Sequence, residues 1–272
     1  MKSPYFYFDS RELQALAEKR HSAYVSADPF PHIALDNFLP EEVLRRVIEE
    51  FPTIEQIHWK KFERPTENKK FTCEDDTQMG EFTRHLISQF NSATFLSFLE
   101  KLTGIEGLIA DPYLRGGGLH QSIRGGSLGV HADFNWYPRL KVERRLNALL
   151  YLNKDWKKEW GGDLELWDKE MTHAITKIAP VLGRCAIFTT NDVSYHGHPD
   201  PLVCPEGVTR RSLAFYYYTS GASEKPKEAR STLFKKRPGK DIQFTESSTK
   251  HILKKIMPPI ILDVVRAIKK KL

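Results

Sequence analysis

The chain has 272 residues, 40% hydrophobic and 28% charged, which is long enough to bury a sizeable core and excludes a fibrous or disordered class. No apolar run reaches membrane-spanning length and the first residues lack the apolar core of a secretory signal. Three widely spaced cysteines (Cys73, Cys185, Cys204) point to reduced thiols in a cytoplasmic setting rather than a disulfide framework. The net charge of +6 is uneven: residues 221–272 hold 14 Lys/Arg against 5 Asp/Glu, so the rest is slightly acidic and no nucleic-acid partner is expected.

In chain order, Arg11–Lys19 reads as a short helix and Pro29–Leu35 as an extended strand. Pro40-Glu41-Glu42 then opens a second helix: proline suits the first turn, two acids sit beside the positive end of the dipole, and Pro52 stops it. Leu44, Val47, Ile48 and Phe51 recur at helical spacing, one stripe for packing on a sheet. Residues 59–76 are polar without a period and predict a mobile loop. Two helices follow at about 79–90 and 92–103, joined near Asn91 and ended by Gly104.

From Gly116 the texture changes to short apolar runs split by Gly, Pro and Asp, the signature of an all-β region. Strands are predicted at Leu119–Arg124, Leu128–Asp133, Leu146–Leu152, Asp163–Trp167, Arg184–Thr189, Ser194–His198 and Arg210–Thr219. The fold class is therefore mainly β with flanking α: a double-stranded β-helix, or jelly-roll barrel, braced by the N-terminal helices. Residues 1–220 form the main domain, with helical support over 1–109 and the barrel over 110–220. Residues 221–272 form a basic extension. Near its end Ile261, Val264, Val265 and Ile268 make the apolar face of a basic amphipathic helix. Docking on the barrel or on a second subunit of a homo-oligomer is preferred to contact with a membrane surface, because the segment is short and its apolar face narrow.

The chemistry concentrates in His131-Ala132-Asp133, His196 and Arg210-Arg211-Ser212. In a strand, residues i and i+2 share a face, so His131 and Asp133 can reach one metal while Ala132 turns away. Two imidazoles and a carboxylate are the facial donor set of non-haem iron(II) oxygenases, with a later strand supplying the second histidine. His196 and His198 share one strand face, so strand geometry alone leaves both as candidates for that place, and the family resemblance below prefers His196. On its own a His-x-Asp is as well read as a hydrogen-bonded pair without metal. Strand alternation also pairs Arg210 with Ser212, so that guanidinium and hydroxyl can hold one carboxylate, while Arg211 faces away. Asn147, Leu149 and Tyr151 alternate onto the inner face of their strand, and Leu164 joins them from the next.

Together with the Gly-rich approach (Gly125, Gly126, Gly129), Tyr151-Leu152-Asn153-Lys154-Asp155-Trp156, Gly161-Gly162 and Arg210-Arg211-Ser212-Leu213, this order resembles the 2-oxoglutarate- and iron(II)-dependent oxygenases over roughly residues 110–220. It is most similar to their prolyl-4-hydroxylase-like branch, including the hypoxia-inducible-factor prolyl hydroxylases. The resemblance implies His131, Asp133 and His196 as catalytic metal ligands for iron(II). It also implies a 2-oxoglutarate pocket lined by Tyr151, Leu149, Leu164 and Arg210, with Ser212 and Asn147 beside them. The implied reaction uses O2, supported by ascorbate, to hydroxylate an unactivated C–H with release of succinate and CO2. One departure stands out. The prolyl hydroxylases usually carry a tyrosine on the strand before His-x-Asp, and here Leu119–Arg124 has none; Gln121 and His120 are the alternatives. That counts against a prolyl substrate in particular and leaves open a protein side chain or a small molecule. Residues 59–76 and Phe134–Arg139 are the expected specificity elements. The rival reading is a non-catalytic metal-binding barrel used as a binding module.

Overall fold

In the computed structural model, which describes residues 5–220 and 229–241, four helices precede and flank an antiparallel barrel. Helix α1 (Ser10–Val25) is capped by Asp9, whose carboxylate accepts from the Arg11 and Glu12 amides. It runs beyond the predicted Lys19. Helix α2 (Glu41–Glu50) starts after Pro40 and buries Val43, Leu44 and Val47. At its far end Glu50 reaches the N-terminus of α3 (Glu81–Phe90), accepting from the Phe82 and Thr83 amides at 3.1 and 2.8 Å. One carboxylate thus ties two helices by capping orphan amides and facing the positive end of a dipole. Helix α4 (Ala93–Thr103) is capped by Ser92 and ends at Gly104 in the left-handed conformation. No helix among the described residues is long and apolar enough to cross a membrane.

The strands are β1 (His32–Leu35), β2 (Lys60–Arg64), β3 (Glu67–Cys73), β4 (Leu108–Ala110), β5 (Gly118–Ala132), β6 (Trp136–Tyr137), β7 (Val142–Tyr151), β8 (Leu164–Trp167), β9 (Ala174–Ile178), β10 (Cys185–Thr189), β11 (His196–His198), β12 (Arg210–Thr219) and β13 (Leu233–Phe234). Hydrogen bonding follows the order β1-β10-β7-β12-β5-β11-β8-β9 through antiparallel pairs, a nearly closed double-stranded β-helix. Strand β5 makes this path continuous. Its first half pairs β12 through Gly118–Ser122, and its second half pairs β11 through Leu128 and His131. The two strands predicted here are one strand of 15 residues, passing between the sheets at Gly125, whose φ of 78° suits glycine.

Alternation then sorts every strand. Leu146, Ala148 and Leu150 of β7, Leu213, Phe215 and Tyr217 of β12, and Cys185 and Ile187 of β10 join the helices in one core. Phe215 stacks on Phe90 of α3 at 4.2 Å and 8°. The alternate residues face the barrel interior, where Leu149, Tyr151, Leu164, Ala186 and Phe188 cluster. The helices brace one outer face of the larger sheet, as predicted.

Three features depart from the sequence reading. The mobile loop expected over 59–76 is instead a hairpin, β2–β3, whose second strand pairs β5 with Thr72 opposite His120. Its polarity comes from lining a cavity: Lys70 pairs with Glu67 at 3.1 Å and lies over the Phe62 ring. Strands β4, β6 and β9 were not anticipated. Residues 229–237, counted with the basic extension, return to the barrel as β13, pairing Leu233 with Ala132 and Phe234 with His131. The packed body runs to Pro238. The expected amphipathic helix lies outside the described residues.

Candidate metal and cosubstrate site

His131 and Asp133 stand at the end of β5, and His196 is paired directly opposite His131 on β11. One ligand atom from each lies within 4.8 Å of the other two, and all three residues are buried. Each imidazole is oriented from behind. His131 Nδ1 donates to the Gly129 carbonyl at 2.9 Å and His196 Nδ1 to the Ser194 carbonyl at 3.0 Å. A carbonyl can only accept, so the proton is on Nδ1 and the Nε2 lone pairs are left to address a cation. Those Nε2 atoms sit 3.5 and 3.4 Å from the Asp133 carboxylate. Two neutral imidazoles and one carboxylate suit a divalent transition metal, so this donor set fits an iron(II) ion.

Asp133 is held on its other side. Its Oδ2 meets Arg144 Nη2 at 3.0 Å and accepts from Asn147 Nδ2 at 2.8 Å. Asn147 Oδ1 in turn accepts from Arg144 Nε and Nη2. The Arg144 guanidinium lies 3.4 Å over the Tyr216 ring and 4.6 Å from that of Phe134. Burial alone would raise the Asp133 pKa, but Arg144, His196 and His131 hold it well below the usual carboxylate range. Burial pushes His196 down to about 4, against the opposing pull of Asp133. The metal-free site therefore keeps an ionised Asp133 carboxylate beside a neutral His196 imidazole at neutral pH.

The same cavity, about 550 Å³, continues from the triad to Arg210. Arg210 Nε donates to the Gly162 carbonyl at 2.7 Å and Nη2 to Tyr151 Oη at 3.4 Å. Gly162 has a φ of 80°, and a Cβ there would come within 3.0 Å of Arg210 Cδ; the second glycine of the Gly-Gly pair thus makes room for the arginine stem. Burial raises the Tyr151 pKa despite the nearby Arg210. Among the described residues no carboxylate pairs with Arg210, although the side chain is only 7% exposed. A buried cation without a partner is costly, so this pocket calls for an anion.

The structure brings eight of the nine predicted residues to the wall of one cavity, and the ninth, Tyr151, meets Arg210 beside it. His131, Asp133 and His196 gather at one end; Arg210, Ser212, Tyr151, Leu149 and Leu164 sit toward the other. Asn147 lines the cavity too, but its amide is committed to Asp133 and Arg144. His198 lines the Arg210 side and is not part of the three-residue cluster. Arg211 faces away, over the Phe51 ring. The registers Ser212–His120 and Arg210–Ser122 put His120 and Ser122 on the pocket face of β5, and Gln121 between them also borders the cavity. At the mouth stand Phe134, Trp136, Pro138 and the β2–β3 hairpin, while Tyr137 packs inward on Tyr218.

Sequence reasoning missed three contributors. Arg144 lies on the same side of the alternation as Leu146, whose side chain faces the helices. An irregularity in the β7–β12 register, where Tyr217 and Tyr218 oppose Leu146 and Arg144, skips Arg145 and turns Arg144 inward. Phe234 packs at a tilt against the His131 ring, centroids 5.2 Å apart, and Arg230 Nη1 donates to the Asp133 carbonyl at 2.5 Å. Both come from a segment whose only sequence signal was its charge.

Residues 117–218 match the family model described as the 2OG-Fe(II) oxygenase superfamily. No curated protein matches the chain. Among solved structures it is similar to a prolyl hydroxylase from Trichoplax adhaerens, in complex with a hypoxia-inducible-factor oxygen degradation domain peptide (15% identity, 79% of this chain and 96% of that one, TM-score 0.56). A Pseudomonas putida prolyl-4-hydroxylase gives 17%, 75%, 99% and 0.54. HygX from Streptomyces hygroscopicus, with nickel, 2-oxoglutarate and hygromycin B bound, gives 12%, 80%, 96% and 0.52. At these identities the likeness is one of fold.

Proposed function

We propose that this chain, whose residues 117–218 match the 2OG-Fe(II) oxygenase superfamily, is an iron(II)- and 2-oxoglutarate-dependent hydroxylase acting on an unactivated C–H of a protein side chain or a small molecule. The observation that carries this reading is the pairing, in one cavity, of a three-residue cluster able to hold a metal with a buried arginine that no carboxylate among the described residues neutralises. Either half alone has other uses; a cation site and a dicarboxylate-sized anion site side by side have few.

In this reading His131, Asp133 and His196 hold iron(II), and Arg210 takes the distal carboxylate of 2-oxoglutarate with Tyr151 and Ser212 beside it. Bound metal and cosubstrate supply the oxidising chemistry, in which O2 is consumed, the oxo acid leaves as succinate and CO2, and a substrate C–H becomes C–OH. The protein supplies geometry. Backbone carbonyls of Gly129 and Ser194 fix both imidazoles, and Arg144 with Asn147 occupies Asp133 Oδ2, leaving Oδ1 the freer ligand atom. Leu149, Leu164 and Phe188 line the floor and exclude water. Phe134, Trp136 and the β2–β3 hairpin stand where a substrate must enter, and they are the proposed specificity elements. Structures of similar fold hold a hypoxia-inducible-factor peptide or hygromycin B, so both classes belong in the screen. Three buried free thiols support a cytosolic setting.

The test is succinate production from 2-oxoglutarate with iron(II), ascorbate and O2, first without substrate and then across peptide and small-molecule panels. Turnover that depends on all three components and rises with one substrate class is the expected result. Tight binding of metal and 2-oxoglutarate with no succinate under any condition would establish the rival, a non-catalytic barrel.

A further inference from the structure

His198 is 4% exposed and shares the cavity with Arg210, yet none of its ring atoms makes a hydrogen bond. Its Nδ1 is sealed from solvent without a partner, one of three buried side-chain polar atoms left so among the described residues. An orphaned buried polar group costs stability unless something else satisfies the ring. The other three histidines of this cavity are anchored, His120 to Gly116, His131 to Gly129 and His196 to Ser194. His198 alone has no such backbone anchor, which leaves its Nε2 as the remaining hydrogen-bonding atom and the cavity as the space it can address. The charged groups facing it are Arg210 and Lys70, with His131 and His120 beyond. No acceptor from the protein stands among them.

We propose that His198 is a cosubstrate-binding residue, donating from Nε2 to the distal carboxylate that Arg210 holds. This rests on the 2-oxoglutarate reading and deepens it. A carboxylate accepts up to about four hydrogen bonds. Arg210, Tyr151 and Ser212 satisfy part of that capacity, and His198 adds a donor from the opposite strand, β11, directly past the metal ligand His196. The anion would then be gripped from three strands, β7, β11 and β12, instead of two.

The experiment measures binding by calorimetry to nickel-loaded protein in the absence of iron, for 2-oxoglutarate and for pyruvate, which lacks the distal carboxylate. His198→Leu fills the same space without a donor; His198→Asn keeps one. Loss of the bond should weaken 2-oxoglutarate at least about tenfold in His198→Leu, near 1.4 kcal/mol. His198→Asn should stay within about threefold of the parent, and pyruvate should not distinguish the three proteins. Nickel affinity and melting temperature should be unchanged. Equal 2-oxoglutarate affinity in His198→Leu, an Asn variant as weak as Leu, or a parallel loss of pyruvate or nickel each overturns the proposal. If the parent protein itself binds nickel but no 2-oxoglutarate, the functional reading falls and takes this inference with it; a parent that binds separates the two.

Discussion

Asp133 and Arg210 are both buried charges on the wall of one cavity, but only Asp133 is neutralised by the protein. Arg144 and Asn147 hold its carboxylate, and two imidazoles face it, whereas Arg210 meets only a carbonyl and a phenol. The difference matches what each is proposed to bind. The metal end is a neutral unit, carboxylate plus guanidinium, so a dication adds its own charge there. The cosubstrate end is a cation awaiting a partner, and a dianion offsets it and part of the metal together. A site fully compensated at both ends would bind neither ligand well.

The most severe way to break the comparison is at the ligands. His131→Ala, Asp133→Ala and His196→Ala should each bring turnover to background, with metal affinity falling by more than the roughly 10–100-fold typical of changes one shell further out. Circular dichroism should show the fold retained. A His196→Ala protein that keeps iron and activity would sink the assignment of the second histidine.

Stability in the metal-free protein should then separate the two charges by sign. Arg144→Met leaves Asp133 buried without its main partner and should cost about 3–5 kcal/mol in urea unfolding. Arg210→Met removes a cation that has no partner and should be neutral or stabilising, by roughly 1–4 kcal/mol. Two changes of the same sign would mean that the asymmetry seen in the coordinates does not govern energetics. Kinetics sharpen the point. Arg210→Ala should raise the KM for 2-oxoglutarate by an order of magnitude or more, since hydrogen bonds to charged groups are worth about 1.5–3 kcal/mol. Arg211→Ala, on the opposite face of β12, should leave KM nearly unchanged.

What the sequence disclosed and what it hid divide along the same physical line. His131, Asp133, Arg210, Ser212 and Tyr151 could be placed because a strand's two-residue period assigns faces without knowledge of the partner strand. Even the wrongly split β5 kept its ligands on the correct side. Arg144 could not be placed, because the register irregularity that turns it inward is a property of the β7–β12 pairing. The β2–β3 hairpin was hidden for another reason: strands whose side chains line a polar cavity lack the apolar alternation that marks a strand packed on a core. Strand β13 is two residues long and exists only because β5 offers it an edge beyond the reach of β3. Tertiary context made these elements, so local pattern was silent about them.

The smallest effect expected is at the surface, where a pair with good geometry contributes little. Arg184 and Asp36 form a two-pronged bond at 2.5 and 3.0 Å, better on paper than Arg144–Asp133, but the Asp36 side chain is 58% exposed. Water and salt screen such pairs, whose median worth is about 0–1 kcal/mol. The Arg184 hydrogen bond lowers the Asp36 pKa below its ordinary 3.8. A depressed carboxylate pKa means the unfolded chain takes up the proton more readily than the folded one as acid is added. The stabilisation is therefore present above the ordinary value and disappears as pH falls through the lowered one. Asp36→Asn should accordingly cost no more than about 1 kcal/mol at pH 7. Urea midpoints of parent and variant should converge once the carboxylate is protonated, and high salt at pH 7 should narrow the same gap. A difference that persists unchanged in acid would show that Asp36 acts through shape or hydrogen bonding rather than charge, and that exposure is not what separates it from Asp133.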